Sequence, residues 1–294
     1  MTHVVQRPSG PFTIAEGQLE VHQIPLGRDN LGWLLVNPAT KGCALIDGPN
    51  AQPYLDHVRS FGLELKAVFN THLHNDHIGV NRALGARLHE LKVYGAAKTA
   101  DGIPGLTHPV KDGDTIWFEG VPVEVWLTEG HLDGHLSYIV DGAVFCGDTM
   151  FAGGCGYLFD GPPETMHSSL LRLSNLPADT LVCCAHEYTM DNLRFAWMVE
   201  PGNAALAERI ASVWAIRSAG GSAVPSTIGE ERATNPFLRS YSEEIQTRTA
   251  RLSGHEKVSD SAEVFHMVRR LKDGGMHKSL SDDTLPTTYS GVTC

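Results

Sequence analysis

Residues 71–79 (Thr-His-Leu-His-Asn-Asp-His-Ile-Gly) place three histidines and one aspartate within six consecutive positions. Imidazole and carboxylate groups are ligands that Zn²⁺, Fe²⁺ and Mn²⁺ accept. An apolar run, residues 67–69, precedes the segment, and an amphipathic stretch, residues 80–84, follows it. This context favours a metal site over a solvated His-rich loop. It predicts a strand that delivers a ligand loop to the start of a helix, where a rigid backbone aims several side chains at one point.

The overall charge excludes one broad class of function. The chain has 294 residues and a formal net charge of -11, whereas a general nucleic-acid binder would show a basic excess. The negative net charge does not exclude an anionic small substrate, because metal ions and a local group of Lys and Arg can make the electrostatic potential positive at one site. We therefore expect a small-molecule substrate and no nucleic-acid partner.

Hydropathy and cysteine spacing give a first prediction of where the protein works. No apolar run approaches the ~20 residues that span a bilayer. Residues 1–8 lack the apolar core of a signal peptide. The six cysteines show neither the spacing of a zinc site nor that of a small disulfide scaffold. We expect reduced, mostly structural cysteines in a cytoplasmic protein without a membrane partner.

The periodicity of the chain changes near residue 189. Before that point short β-rich runs alternate with turn signals, and helices are predicted at 52–61 and 165–174. Beyond it we expect helices at 191–217, 242–253 and 260–273 and no further strand. The sequence therefore predicts an α/β metal-binding domain over 1–189 and a helical substrate-binding domain over 190–294. Its polar end, residues 279–294, is predicted to be a disordered tail.

Three further apolar runs end close to a histidine or an aspartate. Residues 121–127, 143–146 and 181–184 are followed, in this order, by His131, Asp148 and His186. In layered α/β proteins, sites assemble in the crevice at strand ends. A single residue of this kind is more often a turn residue than a ligand. Four such strand ends, counting the one before residue 71, predict a two-metal site.

The number of candidate ligands matches a pair of divalent ions. Seven groups are available: His72, His74, Asp76, His77, His131, Asp148 and His186. Two ions about 3.5 Å apart that share a carboxylate need roughly three protein ligands each besides the bridge. Because His72 and His74 point the same way in an extended loop, we assign them, with His131, to the first ion. The remaining groups, Asp76, His77 and His186, serve the second ion, with Asp148 bridging.

Such a metal pair predicts hydrolysis without a serine or cysteine nucleophile. It lowers the pKa of a bound water to about 7 and polarises the carbonyl under attack. Asp76 and Asp148 are then the catalytic carboxylates. The donor set suits zinc, which we expect, and also iron or manganese. For His135, four residues after His131, we expect a supporting or structural role and not a ligand role.

On these residues the chain resembles the metallo-β-lactamase superfamily, whose signature matches residues 71–77. Within it, the chain is similar to the glyoxalase II (hydroxyacylglutathione hydrolase) family. The matching stretches are 147–151, 154–156, 186–189, 200–203, 224–227 and 235–239. The run from 186 to 239 is the more specific, because most superfamily hydrolases lack this helical part. The resemblance implies an αββα sandwich of the α/β class, followed by a helical domain that helps to hold glutathione.

The resemblance also implies a reaction, a substrate and a set of contacts. The reaction is hydrolysis of S-D-lactoylglutathione to D-lactate and glutathione, a step in methylglyoxal detoxification. The resemblance supports the seven-ligand assignment, with His131 rather than His135. Carried over residue by residue, the thiol-binding residues are Tyr188, Asn192, Arg269 and Lys272. The last two lie on one helical turn, where they can meet a carboxylate.

Two positions depart from the family pattern. Tyr157 stands where Lys or Arg usually follows Gly-Cys-Gly, and Phe159 stands where some relatives have Tyr. Both are expected in the thiol pocket, which loses a charge and a hydroxyl. A hydrolase for the thioester of a different thiol is therefore an alternative.

Two other functions remain open beside thioester hydrolysis. One is a mononuclear iron enzyme of the persulfide dioxygenase type, against which the intact Asp76, His77 and His186 argue. The other is a non-catalytic thiol-binding or metal-sensing module. The expected partner is a small glutathione thioester, and the expected state is a monomer or weak homodimer.

Overall fold

Two large β-sheets, built mostly from the first part of the chain, face each other in a computed structural model, which describes residues 3–254 and 258–288. The first sheet has seven strands: β1 (Phe12–Ile14), β2 (Leu19–Leu26), β3 (Asn30–Val36), β4 (Gly42–Ile46), β5 (Glu64–Phe69), β6 (Lys92–Ala96) and β7 (His108–Val110). They lie side by side in that order. Pairing is antiparallel from β1 to β4 and parallel from β4 to β7.

The second sheet has six strands, and a small hairpin follows one of them. The strands are β8 (Thr115–Phe118), β9 (Val121–Leu127), β10 (Leu136–Val140), β11 (Ala143–Gly147), β14 (Leu181–Cys184) and β15 (Ser226–Thr227), and the hairpin consists of β12 (Met150–Phe151) and β13 (Gly154–Cys155). The order across the sheet is β15-β14-β11-β10-β9-β8. Only β11 and β14 pair in parallel, so the strand ends after both point to the same edge.

Within the described residues, eight α-helices surround or follow the sheets. They are α1 (Gln52–Ser60), α2 (Asn75–Leu84), α3 (Pro163–Ser174), α4 (Thr189–Val199), α5 (Ala204–Ser218), α6 (Ile228–Thr234), α7 (Glu243–Ser253) and α8 (Ser261–Asp273). Tyr54 of α1 and Val80 of α2 pack with Leu45 and Val68 on one face of the first sheet. The predicted αββα sandwich is therefore observed, with a helical C-terminal part.

Aromatic side chains fill the space between the sheets. Phe69 stacks on Tyr138 with ring centroids 5.2 Å apart. Trp33 meets Phe145 edge to face at 6.2 Å. Because these rings are almost fully buried, each stabilises the fold by about 1.5–3 kcal/mol relative to exposure. This core holds the ends of both sheets in fixed relative positions.

The helical part shares the core of the sandwich. Phe195, Phe237 and Phe265 belong to the same cluster of buried side chains as the aromatic residues between the sheets. Phe237 contacts both of the other rings, at centroid distances of 5.9 and 5.7 Å. The contact between the two parts is thus an apolar interface. The division at residue 189 stays a prediction.

Three local predictions in the helical part were wrong. Residues 191–217 form two helices, because Pro201 lacks a backbone N–H and Asn203 caps α5 by accepting from the Leu206 amide, at 3.1 Å. Helix α6 was not predicted, although Thr227 caps it in the same way. A strand does follow residue 188, since β15 pairs with β14 at the sheet edge.

The described part of the polar tail is folded, so the prediction of disorder was wrong there. Residues 276–279 and 282–284 form short 3₁₀ turns. Asp282 pairs with Arg194 of α4. Leu285 is only 7% exposed and packs with α4 and α5 residues. Residues 289–294 lie outside the described residues.

Five of the six cysteines fall within the described residues. All five are free and buried, and Cys294 lies outside the described part. Within the described ranges, every helix is too short or too polar to cross a membrane.

Candidate active site

Four strand ends meet at one crevice, as the sequence predicts. The loop after β5 carries His72 and His74, and Asp76 and His77 lie in the first turn of α2. The other candidate ligands follow the ends of three strands of the second sheet, β9, β11 and β14: His131, Asp148 and His186. The seven side chains form two adjacent groups of donor atoms.

The first group contains His72, His74, His131 and Asp148. Nδ1 of His74 lies 3.0 Å from Nε2 of His72 and 3.0 Å from Nε2 of His131. Nε2 of His131 lies 3.5 Å from Oδ2 of Asp148. Donors about 2.1 Å from one tetrahedral ion lie about 3.4 Å from one another. These separations therefore fit a single divalent ion.

The second group contains Asp76, His77 and His186. Oδ2 of Asp76 lies 3.6 Å from Nε2 of His77 and 3.4 Å from Nε2 of His186. Oδ1 of Asp148 lies 3.5 Å from His77 Nε2 and 3.4 Å from His186 Nε2. One oxygen of Asp148 thus faces each group. This is the arrangement of a carboxylate that bridges two ions.

Two buried atoms at the centre of this arrangement have no hydrogen bond with the described residues. They are Nε2 of His77 and Oδ1 of Asp148. Leaving a buried polar atom unsatisfied costs about 1–3 kcal/mol. A cation between them would satisfy both, so the residues present fit a metal ion.

The electrostatics of the two groups differ. Burial lowers the pKa of His72 and His131, so both imidazoles are neutral and offer a lone pair. At His77 the effect of burial is outweighed by the carboxylates of Asp148 and Asp47, and its pKa rises to about 10. A site that draws a proton onto a buried imidazole stabilises positive charge. A divalent cation can supply that charge and leave the imidazole neutral for binding.

Asp47, a buried aspartate outside the His-rich motif, holds both the loop after β5 and the first turn of α2. Asp47 Oδ2 accepts from His77 Nδ1 at 2.9 Å and from Thr71 Oγ1 at 2.6 Å. Its Oδ1 accepts from the Thr71 amide at 2.8 Å. These bonds place the proton of His77 on Nδ1 and leave Nε2 free for a metal. Asp47 directly follows β4, so the strand-end rule that identified Asp148 could have found it.

Asp29, between β2 and β3, and Asn30, the first residue of β3, support the second group. Asp29 Oδ1 lies 3.3 Å from His186 Nδ1, and Asn30 donates to Asp76 Oδ2 at 3.1 Å. On the other side, the carbonyl of Tyr157 accepts from His131 Nδ1 at 2.7 Å. No sequence signal identified these contacts, because each joins residues that are far apart in the chain.

His135 lies outside both donor groups. Its Nε2 accepts from the backbone amide of Asp148 at 3.1 Å, and its Nδ1 lies 3.1 Å from Thr149 Oγ1. It therefore helps to hold Asp148 in place. Gly147 makes this approach possible, since its φ is +48° and a Cβ there would lie 2.5 Å from Thr71 Oγ1.

A cavity of about 280 Å³ lies beside the second donor group. Five of the six predicted substrate-binding residues line it: Tyr157, Tyr188, Asn192, Arg269 and Lys272. The Tyr188 ring stacks on His186 with centroids 4.8 Å apart and an interplanar angle of 5°. Tyr188 thus connects the cavity, which we call the thiol pocket, to a predicted metal ligand.

The two predicted cations of the thiol pocket are paired within the protein. Arg269 donates to Asp273 Oδ1 at 2.6 Å and to the Cys155 carbonyl at 3.1 Å. Lys272 pairs with Asp191. Burial outweighs this pairing and lowers the pKa of Lys272 to about 8.

Phe159, expected in the thiol pocket, does not line it. Its ring lies edge-on to His74 and His131, at centroid distances of 5.0 and 5.3 Å. It also contacts the Tyr157 ring at 4.9 Å. Both aromatic side chains are more than half exposed, so they form an apolar rim beside the first donor group.

Comparison with known proteins first defines the class. Residues 32–186 match the model of the metallo-β-lactamase superfamily. Among solved structures, ETHE1 from Myxococcus xanthus is similar with a TM-score of 0.57 and 22% identity, over 95% of this chain and 94% of that one. The BLEG-1 B3 metallo-β-lactamase is similar with a TM-score of 0.55 and 22% identity, over 74% of this chain and 99% of that one. These structures share the fold.

The helical part identifies the family within that class. Residues 187–275 match the model described as hydroxyacylglutathione hydrolase C-terminus. Hydroxyacylglutathione hydrolases from Synechococcus sp. (strain JA-2-3B'a(2-13)) and Pseudomonas fluorescens (strain SBW25) are 46% and 42% identical to this chain over 257 residues, which cover 87% of it and 99% of each relative. The relative from Methylococcus capsulatus is 46% identical, over 87% of this chain and 98% of its own. The chain belongs to the hydroxyacylglutathione hydrolase family.

Proposed function

We propose that this chain hydrolyses the thioester of hydroxyacylglutathiones, with S-D-lactoylglutathione as substrate and D-lactate and glutathione as products. The relatives described above carry the name of this activity. The observation that carries the proposal is the position of Asp148. Its two carboxylate oxygens face two separate donor groups, one of which adjoins the thiol pocket through Tyr188.

The two donor groups would hold two divalent ions. His72, His74 and His131 would hold one, the second group would hold the other, and Asp148 would serve both. When bound, such ions supply an acidified water as the nucleophile and polarise the thioester carbonyl. We propose zinc, with iron or manganese as alternatives that the same donors accept.

Asp76 is the carboxylate best placed to orient the attacking water. Its side chain is 42% exposed, whereas that of Asp148 is 10% exposed. Against the effect of burial, His186, His77 and Asn30 hold the pKa of Asp76 below its ordinary value. The group is therefore an anionic hydrogen-bond acceptor at neutral pH. In the reaction the water oxygen bonds to the carbonyl carbon, the C–S bond breaks, and sulfur leaves with the electron pair and gains a proton.

The thiol pocket would hold the glutathione part of the substrate. Tyr188 and Asn192 form its wall near the second donor group, and Arg269 and Lys272 lie further along it. Guanidinium and ammonium groups bind carboxylates through charge-assisted hydrogen bonds. Tyr157 adds no charge to this wall. The thioester of a different thiol, such as coenzyme A, is therefore the alternative substrate.

The test combines metal analysis with an assay of several thioesters. Metal content per chain is measured, and the same sample is assayed with S-D-lactoylglutathione and with glutathione and coenzyme A thioesters. Asp148→Asn should lower activity at least about 100-fold, since loss of even an outer partner of a metal ligand costs about 10- to 100-fold. Asp141→Asn, in the exposed turn between β10 and β11, is the matched control and should retain activity.

Three outcomes separate the possibilities. Release of thiol from S-D-lactoylglutathione that Asp148→Asn abolishes supports the proposal. Turnover of coenzyme A thioesters alone would move the substrate to the alternative. Full metal loading without turnover of any thioester would contradict hydrolysis.

The location and oligomeric state complete the proposal. We propose a cytoplasmic protein that acts as a monomer or weak homodimer. The free, buried state of the five described cysteines fits a reducing compartment.

A further inference from the structure

Residues 276–288 add one lining residue to the thiol pocket. The family model ends at residue 275, and residues 276–288 fold back against α4. His277 is fully buried, and its Nε2 lies 3.3 Å from Asp191 Oδ2. This contact, the packing of Leu285 and the ion pair between Asp282 and Arg194 fix the position of the residue that follows His277. That residue is Lys278, which lines the pocket.

Lys278 differs from the other cations of the pocket in that its charge is not paired with a carboxylate of the described residues. Arg269 and Lys272 each pair with a carboxylate, Asp273 and Asp191. Lys278 is exposed, and its ammonium group makes no hydrogen bond or ion pair with residues 3–254 and 258–288. Because the two pairs are neutral overall, Lys278 gives this pocket an excess of positive charge.

The excess positive charge favours anionic thiol carriers over neutral ones. A glutathione thioester has two carboxylates and one ammonium group, so it carries net negative charge at neutral pH. A cation that is not already engaged can bind a carboxylate without first breaking an internal pair. Lys278 meets that condition, whereas Arg269 and Lys272 would first have to leave Asp273 and Asp191.

We propose that Lys278 is a specificity-determining residue that binds a carboxylate of the thiol carrier. The inference rests on the proposed function for the identity of that carrier. It concerns binding and not the chemical step, since Lys278 lies on the pocket wall and not among the metal ligands.

The test measures binding of S-methylglutathione, an unreactive thioether, to the metal-loaded full chain by calorimetry. Lys278→Gln should weaken binding roughly three- to fivefold, the upper range for an exposed ion pair. Added salt should reduce this difference, because it screens exposed charges. Lys278→Arg should retain most of the affinity. Lys111→Gln, which changes an exposed lysine outside the pocket, should have no effect.

A change in the ligand provides the second arm. The diethyl ester of S-methylglutathione has no carboxylate, so Lys278→Gln and the unchanged chain should bind it equally. Equal binding of the free acid by Lys278→Gln and the unchanged chain would overturn the inference. An equal loss of affinity for the diester and for the free acid in Lys278→Gln would also overturn the inference, because the effect would then be steric and not electrostatic.

Failure of this inference can be told apart from failure of the proposed function. Salt-sensitive loss of thioether binding in Lys278→Gln, in a chain that hydrolyses no thioester, would support the inference and contradict the proposed reaction. Hydrolysis of S-D-lactoylglutathione with unchanged thioether binding in Lys278→Gln would overturn the inference alone. Circular dichroism of each variant verifies that the fold is retained.

Discussion

The contact between Asp47 and His77 makes a prediction that tests how this site is organised. Asp47→Asn keeps the size of the side chain and removes its charge. The amide oxygen can still accept from the Thr71 backbone amide, as Oδ1 does now at 2.8 Å. The amide NH₂ then occupies the position of Oδ2, which lies 2.9 Å from His77 Nδ1. The N–H donor of the new amide would then face the N–H donor of His77 Nδ1.

The variant should therefore change the tautomer of His77. To accept from the new amide, Nδ1 must lose its proton, and the proton moves to Nε2. A protonated Nε2 cannot bind a metal, so the second ion would lose one of its ligands. If the amide instead rotates, its NH₂ meets the Thr71 N–H, which is equally unfavourable. Either way the second donor group is weakened while the first is left intact.

The expected size of the effect follows from known cases of such outer contacts. Loss of the partner of a metal-binding histidine typically costs about 10- to 100-fold in metal affinity. Since 1.4 kcal/mol corresponds to a factor of ten, this is about 1.4–2.8 kcal/mol. We expect one metal ion per chain to be lost to a competing chelator before the other. Activity should fall in parallel with that loss.

The measurement is a titration of metal content against chelator concentration, with thioester hydrolysis followed on the same samples. Asp56→Asn, an aspartate on α1 that is 55% exposed, is the control for loss of one negative charge. Equal metal affinity of Asp47→Asn and the unchanged chain would refute the reasoning. A simultaneous loss of both ions would show that Asp47 supports the whole fold of the site and not His77 in particular.

Two further predictions concern the helical part. Binding of S-methylglutathione should weaken as the pH rises through about 8, because Lys272 loses its proton there. The Lys272→Arg variant stays charged over this range, and the ligand itself titrates in the same way with both proteins. An equally steep pH dependence of binding in Lys272→Arg would therefore contradict the assignment of this titration to Lys272. Phe265→Ala should cost about 3–5 kcal/mol in the free energy of unfolding, since the ring is fully buried in the shared core. One cooperative thermal transition is expected for this variant, and two separate transitions would show that the helical part unfolds independently.

Local patterns in the sequence were sufficient to predict most elements and the candidate ligands. The apolar runs at 121–127, 143–146 and 181–184 lie in strands β9, β11 and β14 of the structure. The spacing within residues 72–77 predicted a ligand loop at a helix start, and α2 begins at Asn75. Prediction failed where an element was very short or where one residue interrupted a longer helical pattern. The two-residue strand β15 and the break at Pro201 are examples.

The polar tail shows why composition alone was misleading. Residues 279–288 are rich in Ser, Thr and Asp, which is typical of disorder. Two contacts with α4 nevertheless hold them, the Asp282–Arg194 pair and the burial of Leu285. Both partners lie far away in the chain, so no local pattern could reveal them.

The sequence by itself determined the donor types, their place at strand ends and the kinship with hydroxyacylglutathione hydrolases. These features depend on residue identity and on spacing along a few residues, which are visible without coordinates. Only the tertiary structure decided which charged groups contact one another. It placed one oxygen of Asp148 toward each donor group, set Asp47 against His77, and paired Arg269 and Lys272 internally. The reason is that hydrogen bonds and ion pairs act over about 3 Å in space, and the packing of the sheets and helices selects which distant residues come that close.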